Sequence, residues 1–337
     1  MPSYLGLLLL SFFITTVLFV PFIDFLYKLK INRTNESKRV DTQDKKASIT
    51  AQLLSYKTRK PIGAGALIIC VTTLLSLWSY GLLGIRARPE ELFILLFTML
   101  SFALLGLYDD VRKNVDREKL GIFWLRWRHK LIIEIALGLA IGLYFWKILG
   151  YDFVNIHWFG LLDVGVLFVP LTAFTVVAFA NAYNITDGLD GLSAGILLIC
   201  LTAFMVLAAQ LLHPSLALFI AIWIGSLIAF LYFNVFPARI ELGDTGALAF
   251  GATLAVVGLL TGKIFALAII GGVFIFEVLS STIQMLSKHF TGKKFFAVAP
   301  LHLWFMSRGW EEPKVVIRFW LAAILFAIFG LWLGLIK

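Results

Sequence analysis

The sequence predicts an all-α protein that crosses a membrane about ten times, built as one domain over residues 1–337. Three observations predict it. Hydrophobic residues make up 60% of the chain and charged residues 15%, with a mean hydropathy of +0.92, which soluble domains do not reach. Apolar runs close to the ~20 residues a spanning helix needs recur from end to end. The loops between them alternate between basic and nearly free of Lys and Arg excess.

The runs lie at 4–27, 62–83, 91–108, 130–149, 164–181, 192–212, 215–233, 245–261, 263–286 and 315–335. The first has no basic residue before it and no small-residue cleavage site after it. It is expected to remain as a spanning helix. The runs at 91–108 and 245–261 are short. Gly138 and Gly142 have the spacing of a close helix–helix contact. Cys70 and Cys200 sit inside apolar runs and read as small core residues, not as a disulfide or metal pair.

Loop charge orients the chain. Residues 28–60 carry ten Lys and Arg against three acids, residues 109–130 seven against four, and 287–314 is also basic. Both termini are therefore expected outside and five loops in the cytoplasm. The net charge of +9 fits basic loops and anionic lipid or phosphate ligands better than nucleic acid. All the polar clusters fall on those five loops: Lys57–Gly65, Asp109–Arg128, Asn181–Gly191, Asn234–Gly246 and Lys288–Lys314. Solvation alone does not require carboxamides, glycines and paired acids on one side, so one shared cytoplasmic site is the economical reading.

The richest cluster is Asn181-Ala-Tyr-Asn184-Ile-Thr-Asp187-Gly188-Leu-Asp190-Gly191-Leu192. Lipid cannot satisfy such a group, so it belongs at a membrane surface or in a wet cavity. Its carboxylates suit a hard cation and its glycines allow close backbone approach. A plain polar turn is the alternative. Asp109 and Asp110 directly follow an apolar run. Neighbouring acids cannot face one way on a helix, but at a helix end both can converge on a cation. Lys113 and Lys119 could then neutralise phosphates, while Arg126, Arg128 and Lys130 read as membrane-edge anchors. Asp244 precedes a helix whose first N–H groups, at Thr245 and Gly246, suit a phosphate; the alternative is an N-cap. His302 is the one histidine placed in a site loop. His129, His157, His213 and His289 read as incidental. Glu277, deep in an apolar run, must face protein or water.

Together these residues resemble the polyprenyl-phosphate N-acetylhexosamine-1-phosphate transferase superfamily, glycosyltransferase family 4. Within it they are most similar to the phospho-N-acetylmuramoyl-pentapeptide transferase family. Asp109-Asp110-Val-Arg-Lys113 resembles its Asp-Asp-x-x-Lys loop. Asn181–Leu192 is similar to its long Asn-x-x-Asn-x-Thr-Asp-Gly-Leu-Asp-Gly-Leu signature, and Pro237-Ala-Arg with Gly243-Asp244-Thr-Gly246 to its Pro-Ala and Gly-Asp-Thr-Gly loop. Glu277–Gln284 and Gly309–Trp320 resemble segments of the muramoyl-pentapeptide branch. There are departures. Lys60-Pro-Ile-Gly-Ala-Gly65 stands where the family has Thr-Pro-Thr-Met-Gly-Gly. Glu241 stands where an aromatic residue is usual, and His302-Leu-Trp304 replaces three histidines.

The resemblance implies an Mg²⁺-dependent transfer of a sugar-1-phosphate from a UDP-sugar to undecaprenyl phosphate, releasing UMP, at the cytoplasmic face of a bacterial inner membrane. It implies Asp244 as main metal ligand, with Asp109 and Asp110 near the metal and lipid phosphate. Lys113 and Lys119 would hold phosphates. Asn184, Asp187 and Asp190, with Asn181, Gly188, Asn234, Glu241 and Gln284, would bind nucleotide and sugar, and His302 would orient the diphosphate. The resemblance implies phospho-N-acetylmuramoyl-pentapeptide as the group transferred; the alternative is transfer from UDP-N-acetylglucosamine or another UDP-N-acetylhexosamine. The partners are the UDP-sugar, the polyprenyl phosphate and the bilayer; a homodimer is allowed and no nucleic acid is expected. A membrane prenyltransferase would need widely spaced Asp-x-x-x-Asp motifs, which Asp109-Asp110 and Asp187-x-x-Asp190 do not fit, and a secondary transporter would need internal repeats and polar residues at mid-membrane on broken helices; only Glu277 lies at depth and no repeat is evident. Without an aromatic at Glu241, either that carboxylate bonds a uracil or ribose donor, or Trp304 or Phe305 supplies the stacking face.

Overall fold

The computed structural model describes residues 2–29, 60–82, 88–114, 127–156 and 160–336. Its helices are α1 (Pro2–Lys28), α2 (Ala64–Leu82), α3 (Pro89–Asn114), α4 (Trp127–Lys147), α5 (Phe168–Thr186), α6 (Leu192–Gln210), α7 (Pro214–Asn234), α8 (Asp244–Leu260), α9 (Ile264–Ile270), α10 (Gly272–Thr291), α11 (Leu301–Ser307) and α12 (Glu312–Leu335). Among the described residues, eight helices are long and apolar enough to cross a membrane, and the pair α9–α10, bent by 74°, makes a ninth. With α8 these account for all ten apolar runs. The only strands described are an antiparallel hairpin, β1 (Phe153–Ile156) and β2 (Gly160–Asp163), which hydropathy does not reveal.

α8 is the axis of the molecule. At 17 residues it is about 25 Å long, shorter than a hydrocarbon core. It needs no lipid match, because every residue from Thr245 to Leu260 is buried among α2, α3, α5, α6 and α9. α1 packs on α7, and α12 on α6 and α9. The outer faces stay apolar, as Phe13, Val17, Leu104 and Leu325 show, which is what a lipid-facing surface requires. Gly138 and Gly142 do bring helices together: a Cβ on Gly142 would lie 2.5 Å from the Val169 carbonyl oxygen, and one on Gly138 3.0 Å from Ala173 Cα. Cys200 is buried, but Cys70 lies on the exterior, correcting its reading as a core residue.

Three boundaries differ from the sequence reading. The run at 91–108 is part of a 26-residue helix, so Asp109 and Asp110 lie on α3 and do not follow it. α5 extends through Thr186, which puts Asn181 and Asn184 on a helix and leaves a short turn at 187–191. The run at 263–286 is broken at Gly271. The polar helix ends gather at one end of the bundle. The other end is tied by Arg88 N–H to Ser215 Oγ (2.8 Å) and by Tyr151 Oη to the Leu260 carbonyl (2.9 Å).

Candidate active site

The turn 187–191 is fixed from several sides. Gly191, at φ 78°, adopts a left-handed conformation that a side chain would strain, and it lets α6 start at Leu192. Its N–H donates to Asn234 Oδ1 (3.0 Å), and Trp320 Nε1 donates to its carbonyl (3.2 Å). The Asp190 N–H donates to Glu312 Oε1 (2.6 Å). The Asp190 carboxylate is buried and accepts from Lys60 Nζ (2.5 Å) and the Ala238 N–H (3.0 Å). Two buried charges offset their desolvation only with good geometry and further donors, and this pair has both. Asp187 accepts from Ser193 Oγ (2.5 Å). Asn234 completes the brace by donating to the Ile240 carbonyl (2.9 Å).

A second seam joins the segments that depart from the family pattern. Ile62 and Glu241 form a parallel bridge. The Glu241 N–H donates to the Pro61 carbonyl (2.9 Å), and its own carbonyl accepts from Gly63 (3.1 Å) and Ala64 (3.2 Å). The Gly65 N–H donates to Leu242 (3.0 Å), and a Cβ on Gly65 would strike the backbone of Gly246. Glu241 therefore serves the site first through its backbone, with its side chain half-buried.

At the start of α8 the cap comes from another helix. Asp110 accepts from the N–H groups of Asp244 (2.9 Å) and Thr245 (2.9 Å) and from Thr245 Oγ1 (2.6 Å). The alternative of Asp244 as its own N-cap is not realised, since Gly243 occupies that position. The Thr245 N–H, expected to face a phosphate, is taken by Asp110. Gly106 permits this approach, because a Cβ there would strike the Asp244 carbonyl.

Asp109 and Asp110 do not converge. One residue turns a helix by about 100°, and Asp109 points to α4, where Lys130 Nζ donates to it at 2.7 Å. Lys130, read from the sequence as a membrane-edge anchor, is thus also the ion-pair partner of the Asp-Asp motif. On the opposite flank, the Glu277 carboxylate holds His302 by its N–H (3.0 Å) and by ring Nδ1 (2.9 Å). The other ring nitrogen abuts the signature: a Cβ on Gly188 would lie 2.5 Å from His302 Nε2. Gln284 Oε1 accepts from the Phe296 N–H (2.8 Å) and anchors the loop after α10. Asn184 is half-buried, one turn before Asp187. Lys119 and the Lys113 side chain lie outside the described residues.

Among the described residues, no three of His, Cys, Asp and Glu form a ready metal cage. What the site offers a cation is a set of hard oxygens, the Asp110 and Asp244 carboxylates and the Thr245 hydroxyl, at the junction of α3 and α8. Carboxylate and hydroxyl oxygens fit Mg²⁺ and would leave it room for waters and a substrate phosphate. Sequence reading missed Lys130 and Glu134 as site-linked residues, and it placed Lys60 and Glu312 in the site's segments without their contacts to the turn. Glu134 carried a usable signal, an acid inside an apolar run, the one that flagged Glu277.

A polytopic helical membrane protein with Asp-Asp, signature and Gly-Asp-Thr-Gly segments gathered at one end belongs to glycosyl transferase family 4, whose model matches residues 92–262. Its relatives narrow the class further. The phospho-N-acetylmuramoyl-pentapeptide-transferase of Geobacillus sp. (strain WCH70) is 37% identical over 333 residues, which is 97% of this chain and 96% of the relative. That of Anoxybacillus flavithermus is 35% identical over 96% of this chain and 95% of the relative, and that of Desulforudis audaxviator 38% identical over 74% and 76%.

Proposed function

We propose that this chain transfers phospho-N-acetylmuramoyl-pentapeptide from its UDP-sugar to undecaprenyl phosphate, forming a lipid-linked cell-wall precursor and UMP. We place it in a bacterial inner membrane with its site toward the cytoplasm. The observation that carries the reading is the meeting of Asp110 with Asp244 and Thr245 at the start of α8, in a chain that also carries the braced turn 187–191 and whose relatives, matched over nearly their full length, bear that name. The basic loops at 28–60 and 109–130 support the orientation.

Asp244 and Asp110 would hold Mg²⁺, which when bound offsets charge on the diphosphate. The chain's own contribution is placement. Lys60, Glu312 and Asn234 hold the turn so that Asp187 and Gly188 face the sugar nucleotide in one geometry. Glu277 holds the His302 ring with Nε2 toward that turn, where, with a proton on both ring nitrogens, it can donate to the diphosphate and orient it. Lys130 pairs with the Asp109 carboxylate and fixes its position near the acceptor. That acceptor is a phosphate monoester with a second pKa of about 6, already ionised at neutral pH, so Asp109 positions more than it deprotonates.

The test is UMP release by purified protein with undecaprenyl phosphate, Mg²⁺ and a panel of UDP-sugars, with mass spectrometry of the lipid product. Transfer of phospho-N-acetylmuramoyl-pentapeptide is the expected result. Transfer only from a UDP-N-acetylhexosamine would move the chain to another branch of the family, and no UMP from any donor would reject the reading.

A further inference from the structure

A polar column continues from the site into the bundle. Asp109 on α3 pairs with Lys130 on α4. One turn further along α4, Glu134 is buried at 1% exposure, and the charges acting on it are those of Lys130 and Asp109. Glu134 Oε2 accepts from Asn181 Nδ2 at 2.6 Å, and the same nitrogen donates to the Val177 carbonyl at 2.9 Å. Glu134 Oε1 is buried with no hydrogen-bond partner among the described residues.

These contacts fix the polarity of Asn181. A carboxamide has one NH₂ and one carbonyl oxygen, and two of its edges are usually interchangeable. Here both partners, a carboxylate and a helix carbonyl, can only accept. The group between them must be the NH₂, and both of its hydrogens are used. Only Oδ1 remains, on a half-buried side chain at the site end of α5. An oxygen so placed repels phosphate and accepts from a hydroxyl or an amide N–H.

We propose that Glu134 is a positioning residue that makes Asn181 an acceptor-only contact, reading a hydrogen-bond donor of the UDP-sugar, a hydroxyl or acetamido N–H, and not its phosphates. This rests on the function proposed above. Asn181 does the touching and Glu134 acts through it.

The experiment compares E134Q and E134M in purified protein. Two quantities are read: KM for each substrate, and the thermal stabilisation conferred by the UDP-sugar. Gln keeps a carbonyl that accepts from Asn181, so E134Q should stay within about threefold of the parent. Met keeps the volume and removes the acceptor. KM for the UDP-sugar should rise about tenfold or more, and stabilisation by the UDP-sugar should shrink, with KM for undecaprenyl phosphate unchanged. A purely structural role would not separate the two KM values. Should E134M fail to fold, Asn181→Asp answers instead. It turns an oxygen onto Glu134 and should lose activity, and adding Glu134→Gln restores a donor–acceptor pair and should recover at least part of it. The proposal is overturned if E134M matches the parent, if E134Q is damaged as much as E134M, if the effect falls on the lipid substrate, or if the double variant is no better than Asn181→Asp. A parent protein that neither turns over nor is stabilised by a UDP-sugar overturns the functional reading and this inference together. An active parent with an unaffected E134M overturns only the inference.

Discussion

Glu277 grips His302 twice, at the backbone N–H (3.0 Å) and at ring Nδ1 (2.9 Å), with both side chains buried. Both oxygens act as acceptors, so the carboxylate also sets which ring nitrogen carries the proton. Glu277→Gln replaces one acceptor with a donor and should lower kcat about 10–100-fold. His302→Ala should do the same. Because the two act as a unit, the double variant should be no worse than the poorer single one. Additive losses would show that they act separately.

Asp244→Asn keeps volume and removes charge. Turnover should fall on the order of 10³-fold if the residue holds a cation that stabilises the transition state by several kcal/mol. More than a tenth of the parent activity would reject that role. Asp110→Asn should cost both activity and stability, since it caps α8 through two N–H groups and a hydroxyl; the cap alone is worth about 1–2 kcal/mol. A chelator should abolish UMP release, and Mg²⁺ should restore it.

Lys60→Met leaves the Asp190 carboxylate buried without its cation. Unfolding should become easier by about 3–5 kcal/mol. Changing Asp190 to Asn in the same chain should restore most of the stability and none of the activity, as read by thermal melts beside the UMP assay.

Glu241→Phe keeps the backbone bonds of the seam to residues 61–65, which are available to any residue at that position. KM for the UDP-sugar should rise severalfold if the carboxylate bonds a uracil or ribose donor. A fall, with kcat unchanged, would show that the pocket lacked only a stacking face, worth about 1–3 kcal/mol elsewhere.

Cysteines placed near Pro89 and Asp152 should be labelled from outside intact cells, and cysteines at Ser193 and Ser307 should not. External labelling of Ser307→Cys would reverse the orientation.

The ten apolar runs were legible because lipid demands length and hydropathy and little else. The ends of α3 and α5 were not. Asp109-Asp110 and Asn181–Asn184 look like loop chemistry locally, yet both continue helices whose polar faces meet partners on other helices. Lys60 with Asp190, and Asp110 with Thr245, are each separated by 130 or more positions, so no local pattern reports them. Lys130 looked like an anchor for the same reason: its partner is a carboxylate on the preceding helix. The signature itself was readable, but its brace from Glu312 and Trp320 exists only once α12 is packed.

Gly65, Gly106 and Gly246 surround the first turn of α8, and a Cβ on any of them would strike a neighbour. None contributes a side-chain atom to the chemistry. A saturation screen for loss of UMP release would nevertheless score them beside Asp110 and Asp244, since a single methyl would pry α2 or α3 from the turn that presents those carboxylates. Activity lost by crowding can return when a neighbouring side chain is trimmed, as Leu242, which faces Gly246, could be. Activity lost with a carboxylate has no such second-site route, and suppressor selection would sort the two kinds of position.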